Sequence, residues 1–325
     1  MPKAHTPRSG SMQYWPHKRA KRIYPRIRSF SGQKGLLGFP AYKAGMTHVM
    51  GVDARKASRT KGETINVPVT VLECPPIRIA AVRFYKRKEN ILCAEKDYYF
   101  KAEKELSRKT NLPKTPQEAG VLDSINPDEY ENITVLAYTQ PKLAGIGKKT
   151  PEVIELHIGG GNKDRLAFVK EHLAKDILFT DVFAEGDYAD ARSITKGKGL
   201  QGPVRRFGID LKQHKSEKGV RRPGSLGGWR GQGHVMYRVA MAGQMGFHQR
   251  TEYNKQVYKI LKPEEATPKG AFIRYGVVRA QAALIRGSLA GSKKRMIVLT
   301  KAQRLKAAQP VPTIDYISQA SQQGV

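Results

Sequence analysis

Three sets of residues in this chain have the types and spacing from which chemistry is built: a glycine motif, eight histidines and two cysteines. The run Gly197-Lys198-Gly199-Leu200-Gln201-Gly202-Pro203-Val204 matches both the dinucleotide-binding fingerprint and the glycine-rich loop of kinases, which cover phosphates with backbone N–H groups. The dinucleotide form has to open a helix whose N-terminus faces the pyrophosphate. Here Pro203 and Arg205-Arg206 follow with no amphipathic helix behind them, and the kinase form lacks its Val-Ala-Ile-Lys, His-Arg-Asp and Asp-Phe-Gly companions. His5, His17, His48, His157, His172, His214, His234 and His248 show neither His-x-x-x-His nor His-Glu-x-x-His spacing, so no metal set is predicted. His157 and His172 read as ordinary strand and helix residues. Cys74 and Cys93 form no Cys-x-x-Cys pair and are expected as reduced thiols in or beside strands, which suits a cytosolic setting. No Ser–His–Asp set or carboxylate pair can be argued. The expectation is a protein that is not an enzyme, with no cofactor, no metal and no small-molecule substrate.

What the sequence does carry is charge. Its 325 residues hold 58 Lys and Arg against 28 Asp and Glu, a formal net charge of +30. Such a chain repels itself when compact, and a polyanion relieves the repulsion. The excess is unevenly placed. Residues 95–176 hold 13 bases and 14 acids, a net of −1, which leaves 45 bases and 14 acids, or +31, for the rest. Met1 to Val52 contains ten Lys and Arg and no acid, and residues 191–256 contain 14 against Asp210, Glu217 and Glu252. No apolar run approaches the ~18 residues a membrane span needs. Pro2, Pro7, Pro16 and Pro25 break any amphipathic leader helix in the basic N-terminus, which reads instead as a structural arm.

The positioning elements are mostly strands. Ile65, Val67, Val69 and Val71 alternate with polar residues or proline, a half-buried strand with Pro68 at an edge or bulge. Further strands are expected at Ile77–Tyr85, Ile133–Tyr138, Val153–Ile158, Ile177–Phe183, Ala271–Val278 and Arg295–Thr300. Residues 98–108 have a helical mix, and Asp164 can cap a helix carrying Leu166, Val169 and Leu173 on one face. Residues 111–128, with three prolines, read as a loop. The pattern predicts a β-rich fold, mainly a β barrel, with an inserted small α+β unit and long basic extensions that penetrate RNA. The expected segments are a basic arm at 1–44, a barrel from 45–95, 177–192 and 257–325, a neutral insertion at 96–176, and a central loop at 193–256.

That loop carries twelve glycines between Gly197 and Gly246 with arginine and lysine interleaved, and no core periodicity. It is not expected to fold alone, and RNA is expected to order it. Candidate RNA-binding residues are Arg19, Lys21, Arg22, Arg26 and Arg28 in the arm. In the loop they are Lys196, Lys198, Arg205 and Arg206, then Lys212, His214, Lys215, Arg221 and Arg222. Toward its end come Trp229, Arg230, His234, Arg238, His248 and Arg250. Arginine offers a planar fork to phosphate and a face to bases. Trp229, flanked by glycines, is placed to stack on an unpaired base. An RNA-modifying enzyme or nucleotide-dependent RNA factor would need a catalytic constellation in the neutral block, and the block shows none.

Phe183, Asp190, Ser193, Thr195, Gly197, Lys198, Gly199, Gly202 and Arg206 have the spacing that marks the universal large-subunit ribosomal protein L-three family, which the chain resembles. The run from Ala240 to Gly246 is similar to a second segment of that family. Arg8-Ser9-Gly10-Ser11, Tyr14-Trp15-Pro16 and Ala44-Gly45-Met46-Thr47-His48 resemble its archaeal and eukaryotic branch, and the short C-terminus favours the archaeal type. Glu217 stands where eukaryotic relatives carry histidine, so no histidine modification transfers to it. The resemblance implies a surface barrel whose arm and central loop thread into large-subunit rRNA. The loop tip at Gly224–Gly233 would approach the peptidyl-transferase region. It also implies early binding in assembly, ribosomal protein L-fourteen among the neighbours, and a cytoplasmic location.

Overall fold

The computed structural model describes residues 14–30, 32, 34–100, 104–227, 233–237 and 239–323. The chain divides into two compact units, one of residues 1–23 with 194–250 and one of residues 24–193 with 251–325.

The larger unit begins with β1 (Gly38–Val52) and β2 (Thr64–Glu73), paired antiparallel along their length. β3 (Ile77–Lys88), β4 (Ile91–Tyr99), β5 (Asn132–Thr139) and β6 (Val153–His157) form a separate antiparallel sheet in the order β4-β3-β5-β6, and α1 (Asn162–His172) follows. β7 (Tyr188–Ile194) returns to the first sheet. After the short strands β8 (Gly199–Gln201) and β9 (Gly243–Met245) of the other unit, β10 (Gln249–Leu261), β11 (Ala282–Arg286), β12 (Met296–Lys301) and β13 (Thr313–Ile317) complete it. The order β12-β7-β10-β11-β2-β1 closes on itself because β1 also pairs with β12, giving a six-stranded barrel with β13 laid on the far half of β1. Closure removes the exposed strand edges that invite aggregation.

β1 serves two neighbours because it is long and bent. Its first half faces β12, Gly38 opposite Thr300 and Tyr42 opposite Met296, and its last residues face β13. A bulge between Lys43 and Gly45 makes the turn. A side chain at Gly45 would lie 2.4 Å from the Phe272 ring, so glycine there lets Phe272 seal the barrel. Phe39, Phe179 and Phe183 pack inside with ring centroids 5.4 Å apart. In the second sheet Phe84 sits between Tyr98 and Tyr130, beside Ile133 and Leu156. Both groups belong to one continuous apolar core. α1 lays Leu166 and Val169 on β5, and Asp164 accepts the Gly161 N–H at 3.0 Å to fix its start.

Several expectations shift. β3 and β4 pair with β5 rather than with barrel strands, so the expected border at residue 96 falls inside β4, and the separate sheet starts at Ile77. The expected arm, 1–44, ends inside β1, where Ala41, Tyr42 and Ala44 are buried. Residues 177–183 are not a strand. Ile177 makes one bridge to Ile77, after which the Asp181 carboxylate takes the Leu178 N–H and turns the chain into a short helical turn. Residues 271–278 are a tight loop closed between Phe272 and Gly276, with Ala271, Arg274 and Gly276 at positive φ, and the buried carboxylate of Glu73 anchors it by accepting from Tyr275 Oη and, just beyond it, from Arg279 N and Ala280 N. Residues 98–108 divide between the end of β4 and a 3-10 turn at Lys104–Arg108. Pro68 costs β2 nothing, since the β11 ladder stops at Val69 and the Pro68 carbonyl still accepts the Gly287 N–H at 2.8 Å. Cys93 lies in β4 and Cys74 just beyond β2, both as free thiols. No helix among the described residues is long and apolar enough to cross a membrane.

Candidate nucleic-acid interface

The smaller unit gives the glycine-rich stretch an architecture that its composition does not announce. β8 and β9 pair with Gly199 opposite Met245 and Gln201 opposite Gly243. The ladder continues toward the root of the loop: Lys198 N donates to Met245 O at 3.0 Å, Phe247 N to Lys196 O at 3.2 Å and Thr195 N to His248 O at 2.9 Å. The two ends of the loop are thus zipped into a ribbon. Gly246 is indispensable to it, with φ at +70° and only 2.0 Å from the position of a Cβ to the Lys196 carbonyl.

Immediately after the glycine motif comes α2 (Pro203–Phe207). The sequence pointed away from a helix here, yet Pro203 occupies the first-turn position that proline favours, and Gly208 ends the turn in the left-handed region. The helix holds five residues, and β8 lies within the motif instead of leading into it, so the dinucleotide arrangement is not reproduced.

Three predicted phosphate ligands turn out to hold the protein's own backbone. Arg206 donates from Nε to Gln244 O at 3.1 Å and from Nη1 to Met241 O at 2.8 Å, tying α2 to β9. Arg250 donates from Nη1 to Pro16 O at 3.0 Å and from Nη2 to Tyr14 O at 3.5 Å, clasping the N-terminal arm. Burial holds both guanidinium groups below their ordinary value. His248 is buried; its Nε2 accepts the Gly246 N–H at 3.1 Å and its Nδ1 lies 2.9 Å from Lys18 O. An acceptor at Nε2 and a donor at Nδ1 define one neutral tautomer, and burial, with Arg250 and Arg206 nearby, lowers the pKa in agreement. Around these clasps Trp15 stacks on His17 at 4.4 Å, His17 meets Phe207 edge-on at 5.7 Å, and Ala20 N donates to Phe247 O at 2.8 Å.

The remaining predicted residues are presented outward. Arg19, Lys21 and Arg22 in the arm are exposed, as are Lys196, Lys198 and Arg205 beside the ribbon. Farther out, Lys212 N donates to Val220 O at 3.0 Å, closing a turn that exposes Lys212, His214 and Lys215, and Arg221, Arg222 and His234 are exposed after it. None of Arg19, Lys21, Lys196, Lys198, Arg205, Lys212, Lys215, Arg221 or Arg222 meets a carboxylate among the described residues. In the larger unit Pro25 and Ile27 turn inward while Arg26 and Arg28 turn outward. Trp229, Arg230 and Arg238 lie outside the described residues.

The four-stranded sheet behaves oppositely. Arg83 pairs with Asp97, Arg87 with Glu131, Lys88 with Glu95, Lys163 with Asp128 and Lys170 with Asp123. These five cations, of the sheet and of α1, are answered within the protein.

The larger unit is a closed barrel, and the smaller one is a ribbon that exposes Lys196, Lys198 and Arg205. The model of the family described as Ribosomal protein L3 matches residues 1–324. The chain is 45% identical to the large ribosomal subunit protein uL3 of Archaeoglobus fulgidus over 99% of both chains. It is 44% identical to that of Methanocaldococcus jannaschii over 98% of both, and 43% identical to that of Methanothermobacter thermautotrophicus over the full length of both. The chain belongs to the ribosomal protein L3 family, in its archaeal form, and is a structural ribosomal protein.

Proposed function

We propose that this chain is built into the large ribosomal subunit by binding large-subunit rRNA, that it joins early and helps nucleate assembly, and that its central loop supports the peptidyl-transferase region. The barrel lies on the subunit surface with ribosomal protein L-fourteen among its neighbours, while the arm and residues 193–256 enter the RNA. One observation carries the reading: Arg19, Lys21, Lys196, Lys198, Arg205, Lys212, Lys215, Arg221 and Arg222 meet no carboxylate among the described residues, whereas Arg83, Arg87, Lys88, Lys163 and Lys170 do. Phosphate is the counter-charge that such a surface lacks. Trp229 belongs to the same reading as a base-stacking residue at the loop tip.

The test is sedimentation of tagged protein from a lysate before and after ribonuclease treatment. Co-sedimentation with large subunits, lost on digestion, is the expected result. Protein that stays at the top of the gradient in undigested lysate would overturn the proposal.

A further inference from the structure

Among the described residues of the larger unit, Arg192 is a buried cation that the fold serves poorly. Arg192, in β7, is only 6% exposed. Its guanidinium has five N–H donors, yet the acceptor it finds is Ser29 Oγ, 3.4 Å from Nη1 and 3.5 Å from Nη2, longer than an ordinary N–H···O bond. Its Nε is buried without a partner. Asp190, two residues earlier on the same strand face, is near enough to act on its charge but makes no hydrogen bond or ion pair with it; its oxygens accept Asn254 N–H at 2.9 Å and Gln303 N–H at 3.1 Å. Arg165, whose Nε is likewise buried, is better served: its Nη1 donates to Asn132 Oδ1 at 2.6 Å and to Asn162 Oδ1 at 3.0 Å. Burial holds the Arg192 guanidinium below its ordinary value, opposed by Asp190 and Tyr253. Arginine cannot shed its charge in a protein, so this is a stored electrostatic cost awaiting an anion.

The surroundings fit an anion that arrives from outside. Ser29 is exposed, and Gln303 Nε2 holds its carbonyl at 3.1 Å, which leaves the hydroxyl available as a donor. Arg304 is exposed and lies over the Tyr253 ring at 4.5 Å, and Arg28 is exposed beside Ser29.

We propose that Arg192 and Ser29 form a phosphate-binding site on the barrel that takes one phosphodiester group of the rRNA backbone, with Arg28 and Arg304 at its rim. The Arg192 fork donates in bidentate fashion, and Ser29 Oγ donates the third bond. The site rests on the rRNA-binding reading above and adds to it a contact that barrel strand β7 makes together with the end of the arm.

The experiment uses the full chain and a large-subunit rRNA transcript, measuring affinity across a salt series together with the melting temperature of free protein. Arg192→Met should bind about tenfold more weakly, with a log-affinity slope shallower by roughly 0.7–0.9. Its free-protein melting temperature should hold or rise, because a buried unpaired charge has been replaced by an apolar chain. Ser29→Ala, which removes the third donor, should weaken binding with the melting temperature lowered only slightly, since its bonds to Arg192 are long, and Arg192→Lys should keep the slope. Wild-type affinity and slope in both Arg192→Met and Ser29→Ala would overturn the site, as would loss of melting temperature in Arg192→Met without loss of affinity. Wild-type protein that fails to bind the transcript would overturn the rRNA reading and this site together.

Discussion

Arg206, Arg250 and His248 have the same composition around them as Lys198, Arg205 and His214, yet they face the opposite way. What separates them is a partner distant in sequence: Arg206 reaches Met241, Arg250 reaches Pro16 and His248 reaches Lys18. A list of basic residues cannot rank its members by that criterion, which is why the sequence reading placed all six on RNA. The clasp around His248 also makes the smaller unit sensitive to pH. His248 and His17 are both held below the ordinary imidazole value, by burial first, with the nearby Arg206 and Arg250 adding to it. The unfolded unit therefore binds more protons. Their stabilisation is complete above about pH 6.5 and is lost as the pH falls below it. Hydrogen exchange at the amides of Ala20 and Gly246, corrected for intrinsic rate, should lose protection between pH 7 and pH 5, and His248→Gln should blunt that dependence. Protection that does not change with pH would show that neutral His248 is not part of the clasp.

At the scale of elements, alternation revealed β2, and the strands expected at Ile133–Tyr138 and Arg295–Thr300 are found as β5 and β12, buried on both faces. It failed where the chain turns, at positive φ through residues 271–276 and under the Asp181 carboxylate after Ile177. The central loop failed in the other direction. Lacking apolar periodicity, it was expected to fold only around RNA, but its ribbon is held by backbone pairing and by arginine donors to carbonyls, neither of which leaves a hydrophobic period. Gly246 is the sharpest test of that ribbon. Gly246→Ala places a Cβ against the Lys196 carbonyl at positive φ, a cost of roughly 1–3 kcal/mol for the conformation alone. The β8–β9 amides should exchange much faster in this variant, while those of β2 and β12 keep their protection. Unchanged exchange across β8 and β9 would mean that the ribbon does not depend on this residue.

Over the whole molecule, the division of charge was legible from the sequence, because counting needs no geometry. The shared core was not legible: the four-stranded sheet and the barrel bury their side chains together, so the neutral block cannot be cut out without opening both. Its part in RNA binding has to be tested by changing charge in place.

The most direct measurement compares two full-length variants that each lose four positive charges. One replaces Lys212, Lys215, Arg221 and Arg222 by Gln, the other Lys149, Lys163, Lys170 and Lys175. Affinity for a large-subunit rRNA transcript is followed against salt. Each phosphate contact adds roughly 0.7–0.9 to the magnitude of the log–log slope. The loop variant should flatten the slope by about three and bind far more weakly at low salt, and the neutral-block variant should match wild type. Equal flattening in the two variants would contradict the account, since the position of the charge would then not matter.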